Sequence, residues 1–137
     1  MPSTVIPALR YRDAHKAIDF LVEAFGFARH AVYESEGGAV VEHAQLTHGA
    51  GMIMLGSERP GEDDYGRHVT AGSGSSIGIY VVVDDVAAHA QRARAAGAEI
   101  VMDPEEQDYG GSNYTCKDLE GIVWSFGNYD PWAEASG

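Results

Sequence analysis

Polar and apolar positions fall into two successive runs of the same kind: an alternating stretch, a stripe of helical period, then three more alternating stretches. Residues 4–11 read as a strand, with Pro7 suited to an edge or to a position without a ladder partner. Asp13 is placed to cap a helix in which Ile18, Leu21, Val22 and Phe25 form one apolar stripe opposite Lys16, Asp19 and Glu23. Gly26 is suited to end that helix as its C-cap. Residues 28–34, 39–47 and 52–55 then read as strands, separated by turns at 36–38 and 48–51.

Residues 56–76, GSERPGEDDYGRHVTAGSGSS, have no period and read as a mobile connection. After them the order recurs. Residues 77–83 read as a strand, and Asp84 or Asp85 as the cap of a helix running to Gly97, with Val86, Ala90 and Ala93 on its inner face. A short strand at 99–102 precedes a hairpin of residues 112–116 and 122–126. The hairpin turn is KDLEG, whose charged residues are expected in water and whose Gly121 can take a positive φ. Matching Asp13 with Asp85 and Gly26 with Gly97 gives two units of one order, so internal duplication accounts for the pattern. The expected fold is α+β, two tandem βαβββ modules in one domain: module one 4–55, linker 56–76, module two 77–128, tail 129–137.

Composition narrows the functional classes. At 137 residues and 45% hydrophobic content the chain is long enough for a well-buried core. A formal net charge of -12 sets the chain against nucleic-acid phosphates and anionic membranes as partners. Cys116 is the one cysteine, which excludes an internal disulfide and any CxxC site, and its place on a strand is that of a small hydrophobe. No apolar run approaches the roughly 18 residues of a membrane span, and MPSTVIPALRYRD lacks the features of a signal segment, so a cytoplasmic protein is expected.

The segment YGGSNYTCKDLEGIVWSFGNYDPW, with its D-x-E-G turn entering an apolar strand, resembles the C-terminal hairpin of the vicinal oxygen chelate superfamily. That superfamily includes glyoxalases, bleomycin-resistance proteins, fosfomycin-modifying enzymes and extradiol dioxygenases. LRYRDAHKAIDFLVEAFGF is similar to the family's opening strand and helix, and GMIML to the strand closing its first module. The resemblance implies curved half-barrel sheets with helices outside and a cavity between half-barrels. These often come from two chains, so a homodimer is expected, with the YDPW tail placed to brace it. Metal-dependent relatives place four His or Glu ligands on the cavity face, at positions that local alignment carries onto Ile6, Met54, Gly78 and Ser125. None of these matches a ligand, because a divalent ion needs imidazole or carboxylate donors. The family's enzymes use that metal to polarise substrate or bind oxygen. No metal, no cofactor and no catalytic residue are therefore expected.

Strand parity assigns the cavity face. Met52 and Met54 would stand beside Ile6 and Ala8, against Thr47, Gln45 and His43, with Arg10 at the mouth. In module two Gly78, Tyr80 and Val82 align with Val123 and Ser125, with Thr115 and Asn113 opposite. The expected ligand-binding set is His43, Gln45, Met52, Met54, Tyr80, Asn113, Ser125 and Arg10, the makeup of a small-molecule pocket. The same side chains would equally serve to fill a barrel. Trp124 is out of phase with Ser125 and is expected beneath a helix with Ile122 and Phe126, while Glu42 and His43 are expected on opposite faces. His43, His48 and His68 have neither HxH nor HExxH spacing, and Cys116 is expected to face away from the cavity. Two functions follow: a metal-free binding protein of the bleomycin-resistance type that sequesters an aromatic or hydrophobic natural product, or a glyoxalase-type lyase or isomerase with an atypical metal site or His43 as general base.

Overall fold

Two open four-stranded mixed sheets, each with a helix packed on one face, make an α+β fold of two tandem βαβββ modules. The computed structural model describes residues 2–59, 68–71, 76–108 and 110–136, and the chain divides into two compact units, Met1–Gly74 and Ser75–Gly137. In the first unit the order is β1 (Ala8–Tyr11), α1 (Ala14–Phe25), β2 (Ala28–Glu34), β3 (Val41–His48) and β4 (Gly51–Ser57). The second has β5 (Ile79–Val82), α2 (Val86–Ala95), β6 (Glu99–Glu106), β7 (Ser112–Lys117) and β8 (Val123–Gly127), followed by a short helix α3 (Pro131–Ser136). Among the described residues no helix is long and apolar enough to cross a membrane.

In the first unit β4 is central, parallel to β1 and antiparallel to β3, with β2 outermost. The Asp13 carboxylate accepts the Lys16 N–H at 3.1 Å and starts α1, and Gly26 at φ 86° ends it, donating its N–H to the Leu21 carbonyl. The expected stripe then buries Ile18, Leu21 and Phe25, while Val22 stays half-buried at its margin. Opposite them Ala44, Leu46, Ile53 and Leu55 are buried, so the even positions of β3 and the odd positions of β4 form the core face. Truncating Leu21 to alanine there costs about 2–5 kcal/mol. The other face is left to His43, Gln45, Thr47, Met52 and Met54, all half-buried.

The second unit repeats the plan, with β8 between β5 and β7 and β6 at the edge. Asp85, rather than Asp84, caps α2 by accepting the Ala88 N–H at 3.0 Å. Val86, Ala90 and Ala93 are buried on its inner face, as their spacing predicts. Beneath lie Tyr114, Cys116, Trp124 and Phe126, all fully buried, and the Trp124 and Phe126 rings are 7° from parallel with centroids 6.2 Å apart. His89 Nδ1 and the Tyr114 hydroxyl, 2.6 Å apart, tie the helix to the sheet.

Several expectations are corrected. β1 begins at Ala8 rather than at residue 4, so Ile6 lies in the segment before it, although the Pro7 carbonyl already accepts the Met54 N–H at 2.9 Å. Likewise Ile77, 71% exposed, and Gly78 precede β5. β3 begins at Val41 rather than at residue 39, and β4 runs on to Ser57. β6 extends past residue 102 through Pro104 because an edge strand needs no ladder donor on its outer side, and its register breaks between Met102 and Glu105. Most of the connection at 56–76 lies outside the described residues. The KDLEG turn departs most from expectation: Asp118 is 6% exposed, not in water. Its carboxylate accepts the N–H groups of Glu120 and Ile122 and the indole N–H of Trp124, at 3.0, 3.1 and 3.0 Å.

Candidate functional site

The face of the first sheet opposite α1 collects five of the sequence-predicted residues. Register places Ala8 and Gln45 on either side of Met54 and sets Thr47 against Met52, so both methionines stand among small and polar neighbours. Gln45 turns its amide nitrogen to His43 Nε2 at 3.1 Å. An amide nitrogen only donates, so with the amide placed this way Nε2 is the acceptor of the contact. Tyr33, opposite His43 on β2, stacks on the imidazole with centroids 6.1 Å apart and planes 24° from parallel. Arg10 donates from Nη1 to the Ser57 carbonyl at 2.8 Å. Its guanidinium lies against Gly56, where an added Cβ would sit 3.6 Å from Nη1.

Ala8, Arg10, Glu42, His43, Met54 and Gly56 line a hollow of about 160 Å³. That is close to the roughly 150 Å³ that takes a benzene-sized molecule in an apolar cavity. Strict alternation sets Glu42 opposite His43, yet both line the hollow. The reason is a bulge: Tyr33 pairs with His43 and Glu34 with Val41, which leaves Glu42 as the extra residue and breaks the parity there. Tyr33 and Gly56 belong to this site too and escaped the sequence reading. Tyr33 was within reach of it, as an aromatic on a strand next to the one carrying His43.

The second unit brings the remaining three together on its own sheet face. Tyr80 pairs with Ser125 and Ser125 with Thr115, while Asn113 pairs with Gly127. Their polar atoms are engaged with one another: Ser125 Oγ and Thr115 Oγ1 lie 2.8 Å apart, and Asn113 Oδ1 accepts from Gln107 Nε2 at 3.1 Å. The Tyr80 hydroxyl crosses Gly127 to donate to the Tyr129 carbonyl at 2.7 Å. Only glycine permits this, because a Cβ at residue 127 would stand 2.6 Å from that oxygen.

The four positions that the resemblance carries over from the family's metal ligands offer no donor set for a divalent ion. Met54 and Ser125 lie on the two faces just described, Ile6 and Gly78 lie just before β1 and β5, and none carries an imidazole or carboxylate. Among the described residues no group of three or more His, Cys, Asp or Glu is placed to hold a metal. Cys116 is buried under α2, on the core side. Burial first, and the Asp118 carboxylate second, push its thiol from 9.0 to about 12, so it is protonated at neutral pH and a poor nucleophile. Burial, followed by the nearby Cys116, pushes the Tyr114 hydroxyl up in the same direction.

Residues 5–126 match the family model described as the Glyoxalase/Bleomycin resistance protein/Dioxygenase superfamily. The Mycobacterium bovis protein Mb0911c is 34% identical over 123 residues, covering 88% of this chain and 80% of its own length. The crystal structure of TioX from Micromonospora sp. ML1 is similar with a TM-score of 0.72 at 32% identity, over 91% of this chain and 94% of TioX. UcmS2, at 20% identity and a TM-score of 0.70, shares the fold over 94% of this chain and 100% of its own.

Proposed function

The chain belongs to the Glyoxalase/Bleomycin resistance protein/Dioxygenase superfamily, and from that premise we propose that it is a small-molecule binding protein of the bleomycin-resistance type. It sequesters an aromatic or hydrophobic natural product on its open sheet faces, without a metal. The observation that carries this reading is Met54. At a position where metal-dependent relatives hold a carboxylate or imidazole, this chain has a thioether in a hollow with Ala8, His43 and Arg10. Thioethers adapt to flat and irregular apolar surfaces.

An aromatic group burying about 150 Å² gains about 4 kcal/mol at about 25 cal/mol per Å². Alone that corresponds to about millimolar affinity. Tighter binding draws on further ring area and on oriented polar groups, here His43, Gln45 and Arg10 on the face of the first unit. A glyoxalase-type reading with His43 as general base has less support, because the accepting nitrogen of its ring already takes the Gln45 amide. The test is native mass spectrometry of the intact protein against a panel of cytotoxic natural products, with metal analysis of protein purified without chelators. A retained compound and no dependence on metal are expected. Stoichiometric metal that restores turnover of a hemithioacetal would sink the proposal.

A further inference from the structure

The hollow of the first unit has an aromatic wall built from two strands, a feature that plain apolar sequestration leaves unused. We infer that this hollow recognises an aromatic ring in preference to an aliphatic ring of the same size, with His43 as the contact surface and Tyr33 as the residue that positions it. The inference deepens the binding role proposed above and rests on it. Strand order supplies the geometry. With the sheet running β1-β4-β3-β2, the hollow over Met54 is bounded by Ala8 and Arg10 of β1 on one side and by Glu42 and His43 of β3 on the other. Tyr33, on β2, stands beyond His43, so the phenol ring backs the imidazole and the hollow lies to its other side.

Two contacts hold the imidazole. Tyr33 stacks on it with planes 24° from parallel, and the Gln45 amide nitrogen meets its Nε2 at 3.1 Å. A ring held at two points has less freedom left to lose when a ligand meets it. Tyr33 is 57% exposed on an outermost strand, so core packing does not account for its place over His43. Aromatic rings attract one another beyond the area they bury, which an aliphatic ring cannot match, and the Met54 thioether adds a smaller preference of the same sign. The volume of about 160 Å³ suits one ring rather than a fused system. The two charged side chains at the hollow, Arg10 and Glu42, are of opposite sign, so the kind of ring, not the charge of the ligand, is what the wall distinguishes.

The experiment uses two neutral probes that differ only in the ring, benzyl alcohol and cyclohexylmethanol. Each is titrated into protein carrying carbon-13 methionine methyl groups, and the Met54 resonance, assigned with Met54→Leu, reports occupancy of the hollow itself. Cyclohexylmethanol is the more apolar of the two, so plain sequestration would favour it. Wild type is expected to bind benzyl alcohol about threefold to tenfold more tightly instead. His43→Leu keeps the apolar area and removes the ring, and should cut that preference to about twofold or less. Tyr33→Leu should also reduce it, while Tyr33→Phe, which keeps the stack and loses only the hydroxyl, should retain it. Circular dichroism confirms that each variant is folded. If wild type binds both alcohols alike or prefers cyclohexylmethanol, the aromatic preference falls and the binding role stands. A preference unchanged in His43→Leu or Tyr33→Leu overturns the inference, as do losses that affect both alcohols equally, since the two residues are then structural. A preference lost in Tyr33→Phe overturns the stacking argument, because the hydroxyl is then what matters. If neither alcohol moves the Met54 resonance, both the inference and the binding role fall.

Discussion

Replacing Asp118 with alanine removes one side chain and leaves three donors without their acceptor. The indole N–H of Trp124 is the costliest, because Trp124 is fully buried and water cannot take over the 3.0 Å bond. A stranded buried donor costs about 1–3 kcal/mol. The N–H groups of Glu120 and Ile122, bound at 3.0 and 3.1 Å, lie in a part-buried turn that water reaches, and each adds about 0.5–1 kcal/mol. Deleting the carboxylate also relieves its own desolvation cost, which offsets part of the loss. The net expectation is a destabilisation of about 2–4 kcal/mol, a large share of the about 5–15 kcal/mol that holds a domain together. Urea unfolding followed by far-ultraviolet circular dichroism measures it, with an unchanged m-value showing that the native state is otherwise intact. Asp118→Asn keeps an acceptor for the turn but sets an amide N–H against the indole N–H, so it should lose the tryptophan share alone. In a Trp124→Phe background that share should vanish. A cost below about 0.5 kcal/mol for Asp118→Ala, or an undiminished Asp118→Asn cost in the Trp124→Phe background, refutes the reasoning.

Gly127→Ala places a Cβ 2.6 Å from the Tyr80 hydroxyl, 2.8 Å from Asn113 Cβ and 2.9 Å from the Ser112 carbonyl, so thermal unfolding should show a loss of about 1–3 kcal/mol or more. Adding Tyr80→Ala should restore only part of it, since the Asn113 and Ser112 atoms remain in the way. Stability should be full below about pH 9 and fall as the pH rises toward 12, because the Cys116 thiol, lifted from 9.0 to about 12, ionises in the unfolded chain before it does in the native one. Tyr114, lifted in the same direction, adds to the fall, and denaturation midpoints of Cys116→Ala across that range should show a shallower slope. Ser125→Ala should cost a bound aromatic ligand less than about threefold in affinity by calorimetric titration, because the hydroxyl is already paired with Thr115. The exposed outer edges of β2 and β6 are proposed to be covered in a homodimer, and light scattering that shows a monomer at micromolar concentration would count against it.

What was legible in the sequence is what obeys a local rule. Asp13 and Asp85 are caps because a short carboxylate before an apolar stripe has an N–H two or three residues on to accept, and Gly26 and Gly97 take the positive φ that ends a helix. Period two then separates Ile53 and Leu55 in the core from Met52 and Met54 on the other face. Where the reading failed, a long-range contact overrode the local rule. Asp118 belongs to a class of residue that is almost always exposed, and it is buried because one indole N–H six residues on needs an acceptor. Glu42 joins His43 because a bulge adds a residue, which no alternation count from one strand can detect. Ile6 and Ile77 have strand-like composition but fall before the ladders begin.

The two modules carry one topology and different face chemistry. On the second sheet the polar groups bond within the unit: Ser125 with Thr115, Asn113 with Gln107, Tyr80 with Tyr129. A ligand gains little from such a group, since each new bond replaces an existing one and the exchange nets close to zero against an ordinary contribution of about 0.5–1.5 kcal/mol. Those residues then act mainly as shape and apolar area, in company with Val82 and Val123. On the first sheet the polar groups are engaged too, Arg10 with the Ser57 carbonyl and Gln45 with His43, and what sets that face apart is the pair of thioethers of Met52 and Met54. Under the proposed binding role, adaptation to the shape of a ligand therefore belongs to the first sheet. A polar site rejects an analogue that leaves its groups unpaired, whereas an apolar face barely distinguishes one ring from another.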